Sequence, residues 1–170
     1  IIISLAKLLT NYSNIRYYAS DISNAALDTA GENAKSHQVA SRIRFIQGNL
    51  LSPLEPIIKR SKPGDKLIIT ANLPYLTPDQ IKQSLTIQKE PKKALDGGTD
   101  GLVLYKRLFK RLNKLNIEYD LFCEIDSEQA VRIKNLFTQV ISRNFYFKPY
   151  KDLAGYHRVA YFRLNQNNAS

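Results

Sequence analysis

Apolar runs of strand character alternate with runs of helical periodicity along this chain, and that alternation limits the fold more than any other feature. Arg42-Ile43-Arg44-Phe45-Ile46-Gln47 alternates with a period of two, the pattern of a half-buried strand. Gly101 to Leu115 repeats at helical spacing, with Leu102, Tyr105, Leu108, Phe109 and Leu112 on one face. Asp100 is placed as the N-cap of that helix. Ile15 to Ser20 reads as a strand ending at Asp21, and Asn24 to His37 as a helix with Ala25, Leu27, Ala30 and Ala34 on its inward face. Asp65-Lys66-Leu67-Ile68-Ile69-Thr70-Ala71 reads as a buried strand opened by Pro63-Gly64. Tyr119 to Ile125 is another strand, and Ser127 to Gln139 a helix with Glu128 in its first turn. Ile1 to Leu9 reads as a buried helix entered midway. Strands alternating with helices imply a mostly parallel sheet with helices on both faces, an α/β fold. Asn144 to Tyr150 and Arg158 to Leu164 have no helix between them, so they should close the chain as an antiparallel hairpin. No interdomain linker interrupts residues 1–164, which read as one domain, and Asn165 to Ser170 reads as a frayed tail.

Polar residues gather where the strands end. Asn72-Leu73-Pro74-Tyr75 follows Ala71 directly, and in open α/β sheets ligands sit at the carboxyl ends of strands. Asn72 offers a carbonyl acceptor and Tyr75 a flat face, while Pro74 stiffens the turn and leaves the Leu73 carbonyl free. Such a group suits a planar amide or amidine nitrogen. Asn and Pro are also common turn residues, so the four alone fit a plain turn equally well. Asp21 closes its strand ahead of a helix, where an acid can accept hydrogen bonds from both hydroxyls of a ribose or cap the helix. Gly48-Asn49-Leu50 follows the next strand, so Asn49 could bond an adenine and Leu50 pack on it; an ordinary Gly-Asn turn has the same residues. Glu90 to Gly101 holds three of the seven glycines and reads as a loop over the site that leads into the next helix.

Composition removes whole classes of function. No segment approaches the ~18 continuous apolar residues needed to span a bilayer. The opening Ile1 to Leu9 run is too short for that and does not read as a signal peptide. Cys123 is the only cysteine and lies in a strand-like run, a core thiol. His37 and His157 have no ligand-like spacing, which argues against a metal site and against a His-assisted nucleophile. The net charge is +10, with Lys106, Arg107, Lys110, Arg111 and Lys114 along one helix. That surface suits RNA or an RNA-bound partner, but a charge run alone is nonspecific and better fits a solvated helix face.

Taken together, these segments resemble the HemK/PrmC family, the release factor glutamine methyltransferases, from Ile1 to about Leu164. Ala19-Ser20-Asp21-Ile22-Ser23 with Ala25, Ala26, Leu27 and Ala30 is similar to the family's second strand and helix. Gln47-Gly48-Asn49-Leu50-Leu51-Ser52-Pro53-Leu54 is similar to its adenine-side loop. Asn72-Leu73-Pro74-Tyr75 matches its N-P-P-Y signature in three of four places. The most discriminating match is Glu90-Pro91 followed by Ala94-Leu95-Asp96-Gly97-Gly98-Thr99-Asp100-Gly101-Leu102. Asp152-Leu153-Ala154-Gly155 with Arg158-Val159 is similar to the closing hairpin. Leu73 replaces the second motif proline, a form also similar to ribosomal RNA adenine dimethyltransferases, and Asn49 replaces the adenine-side acid.

The resemblance implies a Rossmann-like class I methyltransferase fold that uses S-adenosylmethionine in the cytoplasm, with no metal. It implies that Asp21, Asn49, Leu50 and Asn72 contact that cofactor. It implies that Asn72, Leu73, Pro74 and Tyr75 hold the substrate, a glutamine in the Gly-Gly-Gln loop of a peptide chain release factor. The family's first strand and glycine-rich loop would precede Ile1, so the chain reads as the later part of a longer protein that alone should bind the cofactor weakly or not at all and tend to aggregate. Two other readings use the same residues. One is an adenine methyltransferase acting on a flipped nucleic-acid base stacked on Tyr75. The other is a truncated domain without turnover.

Overall fold

A computed structural model describes residues 1–62, 64–83, 91–115 and 117–165. They form two compact units, Ile1–Pro63 and Gly64–Ser170. The first unit is built on a short parallel pair. Strand β1 (Tyr17–Asp21) lies beside β2 (Ile43–Gln47), with Tyr17 opposite Ile43 and Asp21 opposite Gln47. Helices α1 (Ile2–Leu8), α2 (Asn24–Ser36) and α3 (Glu55–Ile58) accompany them, and a 3-10 turn at Ala40–Arg42 leads into β2. Ser23 starts α2 by accepting a hydrogen bond from the Ala26 amide at 3.2 Å, the usual service of an N-cap serine. Ala6, Tyr17, Ala34, Val39 and Ile43 make a core cluster in this unit, and Leu51 and Ile58 are buried as well. Arg42 donates to the carbonyls of Ala6 and Leu9 at the end of α1 and of Tyr12 in the turn that follows. Its guanidinium also lies over the Tyr17 ring, 5.2 Å from the centroid.

The second unit is a four-stranded mixed sheet in the order β3 (Ile68–Ala71), β4 (Tyr119–Glu124), β6 (His157–Leu164), β5 (Phe145–Lys151). Strands β3 and β4 are parallel, and β6 runs antiparallel to both β4 and β5, so the closing hairpin forms as the sequence predicts. Helices α4 (Pro78–Gln83), α5 (Lys92–Leu95), α6 (Val103–Leu115) and α7 (Ala130–Val140) complete it. Tyr105, Leu108, Phe109 and Leu112 form the buried face of α6. Phe109 meets Phe137 edge-on at 4.8 Å, and Phe137 stacks on Phe162 of β6 at 4.1 Å, which ties both long helices to the sheet.

Several boundaries move from the sequence reading. The strand expected from Asp65 begins at Ile68, whose side chain is 63% exposed, so this strand is buried on one face only. Within α2, Ala34 is buried, Leu27 and Ala30 are half-buried, and Ala25 faces solvent, because a helix over a two-stranded sheet finds little to cover. In α1 only Ala6 is buried and Leu8 is 79% exposed, which corrects the reading of a buried helix. Asp100 accepts from the Leu102 amide at 2.9 Å, closing a turn that ends before α6 starts at Val103, so it is not the helix N-cap. Glu128 and its neighbours Ser127–Gln129 form a 3-10 turn ahead of α7. Pro63, Glu90 and the tail beyond Asn165 lie outside the described residues. Among the described residues no helix is long and apolar enough to cross a membrane.

Candidate active site

In the second unit, the chain leaves β3 at Ala71 and runs straight into Asn72-Leu73-Pro74-Tyr75. Asn72 is exposed, and Leu73, Pro74 and Tyr75 are half-buried. So the strand presents the amide to solvent and folds the next three residues back on the protein. What holds them there is the glycine loop. The Leu76 amide donates to the Leu95 carbonyl at 3.0 Å, and the Gly97 amide returns a bond to the Leu76 carbonyl at 2.9 Å. Leu76 and Asp96 thereby pair as an isolated parallel bridge. A Cβ on Gly97 would sit 2.7 Å from both the Pro74 carbonyl oxygen and the Tyr75 Cα, so only glycine allows this approach. Gly101 adopts φ +70°, which a side chain would strain, and a Cβ there would also run into the Tyr75 carbonyl. The loop therefore backs the tetrapeptide, where the sequence reading has it covering the site.

Two side chains lock this packing. Burial pushes the Tyr105 phenol pKa far above its ordinary value, so it remains a hydroxyl. It donates to the Glu124 carbonyl and receives the Leu73 amide at 3.5 Å. Gln129 is buried and donates its side-chain nitrogen to the Tyr75 carbonyl at 3.0 Å and the Gly101 carbonyl at 3.3 Å. Its side-chain oxygen accepts from the Asp126 amide at 3.1 Å, while the Asp126 side chain accepts from the Gln129 backbone amide in return, a capping box. Burial raises the pKa of Tyr75 itself, helped by the charge of Glu124. Sequence reasoning missed both locks. Tyr105 sits on an apolar helix face and Gln129 in a polar helix start, and nothing in either pattern signals a hydrogen bond to a distant turn. Asp126 followed three residues later by Gln129 is the one sequence signal available, a capping-box spacing.

In the first unit the other expected residues meet at the carboxyl ends of β1 and β2. Asp21 is exposed, and its Oδ1 accepts the Ser23 amide at 2.8 Å, so it closes a turn while Ser23 caps the helix. The Gly48 amide donates to the Asp21 carbonyl at 2.9 Å, and the Ser20 hydroxyl to the Leu50 carbonyl at 2.9 Å. These bonds bring Asp21, Asn49 and Leu50 to one edge of this sheet. Leu50 stands at φ +53°, an unusual conformation for a leucine, and Asn49 is exposed. Among the described residues no group of three or more His, Cys, Asp and Glu side chains is placed to hold a metal ion.

Comparison with known proteins gives consistent relatives. The chain is 35% identical over 162 residues to the release factor glutamine methyltransferase of Dictyoglomus turgidum, covering 92% of this chain and 53% of that protein. It is 38% identical over 136 residues to the protein of that name from Moorella thermoacetica, covering 78% and 46%. It is 33% identical over 153 residues to the one from Bacillus subtilis, covering 88% and 50%. The chain thus spans about half the length of these relatives. No protein-family model matches it. Among solved structures, human methyltransferase 10 domain containing protein superposes with a TM-score of 0.56 at 15% identity, over 93% of this chain and 65% of that one. The N-terminal domain of human METTL16, solved in complex with SAH, gives 0.54 at 14% identity over 96% and 57%. At such identities the likeness is one of fold, the Rossmann-like α/β fold of class I methyltransferases.

Proposed function

Because this chain is a relative of the release factor glutamine methyltransferases, we propose that the protein methylates the side-chain nitrogen of a glutamine. The donor in this proposal is S-adenosylmethionine, and the glutamine is that of the Gly-Gly-Gln loop of a peptide chain release factor. Residues 1–164 are then part of one methyltransferase domain, and a substrate drawn from translation places it in the cytoplasm. The observation that carries the reading is an exposed Asn72 beside a tetrapeptide backbone fixed from behind by Gly97, Tyr105 and Gln129.

An amide nitrogen is a poor nucleophile, since its lone pair is delocalised into the carbonyl. Asn72 Oδ1 and the Leu73 carbonyl accept its two hydrogens and turn the nitrogen into line. The same acceptors stabilise the positive charge that grows on the nitrogen in the transition state. Pro74 keeps the turn rigid, so this alignment needs little reorganisation, and Tyr75 packs on the amide plane. The methylated nitrogen is strongly acidic and releases its proton to water without a dedicated base.

The donor set fits the cofactor. Asp21 puts an exposed carboxylate at a strand end, and one oxygen suffices for its turn. It accepts hydrogen bonds from the ribose hydroxyls, Asn49 bonds the adenine and Leu50 packs on it. S-adenosylmethionine, when bound, supplies a methyl group made electrophilic by its sulfonium. On α6, the exposed Lys106, Arg107, Lys110 and Lys114 offer a surface for RNA or a ribosome.

The test is transfer of labelled methyl by the protein in its full natural length to a release factor, to the same factor with the loop glutamine replaced by alanine, and to ribosomal RNA. Label in the intact factor alone supports the proposal. Label in adenines of the RNA alone moves the assignment to the nucleic-acid enzymes, and label in neither sinks it.

A further inference from the structure

Gln129 is the one buried amide side chain among the described residues, at 3% exposure. A buried amide is costly unless its groups are bonded, and once bonded it specifies a single arrangement. Here both ends are bonded. The nitrogen donates to Tyr75 and Gly101, and the oxygen accepts from Asp126. Those partners belong to three separate segments: the tetrapeptide, the last turn of the glycine loop, and the connection from β4 to α7. One side chain therefore fixes where the Tyr75 carbonyl stands against Gly101. Tyr105 does the equivalent for Leu73, joining its amide to the Glu124 carbonyl.

We propose that Gln129 is a positioning residue for the methyl acceptor: it sets the backbone of the Asn72–Tyr75 turn, so that Asn72 Oδ1 and the Leu73 carbonyl share one substrate nitrogen. The proposal rests on the assignment of those acceptors above and adds to it the group that aims them. Gln129 does not touch the substrate. It acts through the Tyr75 carbonyl, and an acceptor displaced by about 1 Å costs on the order of 100-fold in rate.

Gln129→Glu is the sharpest probe. It keeps the size and the acceptor for Asp126 but sets a carboxylate oxygen against the Tyr75 and Gly101 carbonyls. Two readouts on the full-length protein separate the possible roles. The first is steady-state transfer to the release factor. A positioning role lowers kcat at least 30-fold and leaves the KM for S-adenosylmethionine within threefold of the parent. The second is amide hydrogen exchange, which needs no activity. Protection should fall at Leu76 and Gly97, whose bonds record the docking of the turn on the glycine loop, and persist at Asp126 and along β4. A kcat within threefold of the parent overturns the proposal. So does a fall in protection spread evenly over the second unit, which marks Gln129 as a fold residue. If the parent itself does not methylate the release factor, the functional assignment fails. The exchange pattern then still decides whether Gln129 holds the turn.

Discussion

Asn72 is where the chemistry can be isolated from the fold. Its side chain is exposed at the end of β3, so Asn72→Ala should leave the unfolding midpoint within experimental error. Loss of one transition-state acceptor of this kind costs roughly 2.7–4 kcal/mol, a fall of about 100- to 1,000-fold in kcat. Turnover within threefold of the parent would remove Asn72 from the site. Asp21 separates cofactor binding from local structure. Its Oδ1 closes a turn on Ser23, so Asp21→Asn, which keeps that acceptor, isolates the loss of charge. Calorimetry should give weaker S-adenosylmethionine binding for Asp21→Asn and weaker still for Asp21→Ala. Each charge-assisted hydrogen bond is worth about 1.5–3 kcal/mol. Affinities equal to the parent's would leave Asp21 with its turn alone. Both residues are legible in the sequence because each is a polar break straight after an apolar run. Tyr105 and Gln129 are not, because each sits at a helical position whose periodicity predicts only burial or exposure. The partners they find lie 32 and 54 residues away along the chain.

The glycine loop and the sheet carry the next scale. Gly97→Ala places a methyl against the Pro74 carbonyl and the Tyr75 Cα, neither of which is a flexible side-chain end. The turn must shift. The expected result is a loss of transfer activity comparable to that of Asn72→Ala, with a lower melting temperature as well, and a variant of parental rate would show that the loop can yield. The sheet has its own pH signature. Burial pushes the Asp120 carboxyl up, but hydrogen bonds from Arg163 and Tyr161 and the charge of Arg163 outweigh that and hold it below the usual range. Arg163 Nε stands 2.7 Å from its Oδ1. A depressed native pKa means that the unfolded chain binds the proton more readily. The stability from Asp120 is therefore present above its unfolded value, about 3.9, and is lost as the pH falls through the lower native value. The pair is partly exposed, so solvent screening keeps the effect small. Asp120→Asn should lower the urea midpoint at neutral pH and match the parent near pH 2; an equal gap at both would sever the link to ionisation. None of this is legible in a linear pattern. Asp120 meets Arg163 only because β6 lies beside β4.

At the scale of the whole chain, the alternation of strands and helices and the closing hairpin are readable because period and connection length suffice to decide them. The order of strands is not readable. That β6 inserts between β4 and β5 follows from the hydrogen-bond register, which no local pattern records. The division into Ile1–Pro63 and Gly64–Ser170 is hidden too, since the sequence offers no linker there. The two units differ in what stabilises them. The first holds two paired strands of five residues each and a core cluster of five buried residues, two of them alanines, with Leu51 and Ile58 buried besides. A two-stranded sheet is marginal in water unless something packs on it. The second has four strands and the interlocked rings of Phe109, Phe137 and Phe162. Local openings follow buried contact, so the units should not open with equal ease. Native-state hydrogen exchange on this chain should therefore find the amides of β1 and β2 exchanging at least tenfold faster than those of β4 and β6. Saturating S-adenosylmethionine added to the full-length protein should slow β1 and β2 selectively, because a ligand held by Asp21, Asn49 and Leu50 stabilises only the state in which the ends of those strands are formed. Equal protection in both units without ligand would mean that the short sheet draws its stability from more than its own core. A ligand effect that spared β1 and β2 would take the cofactor away from Asp21.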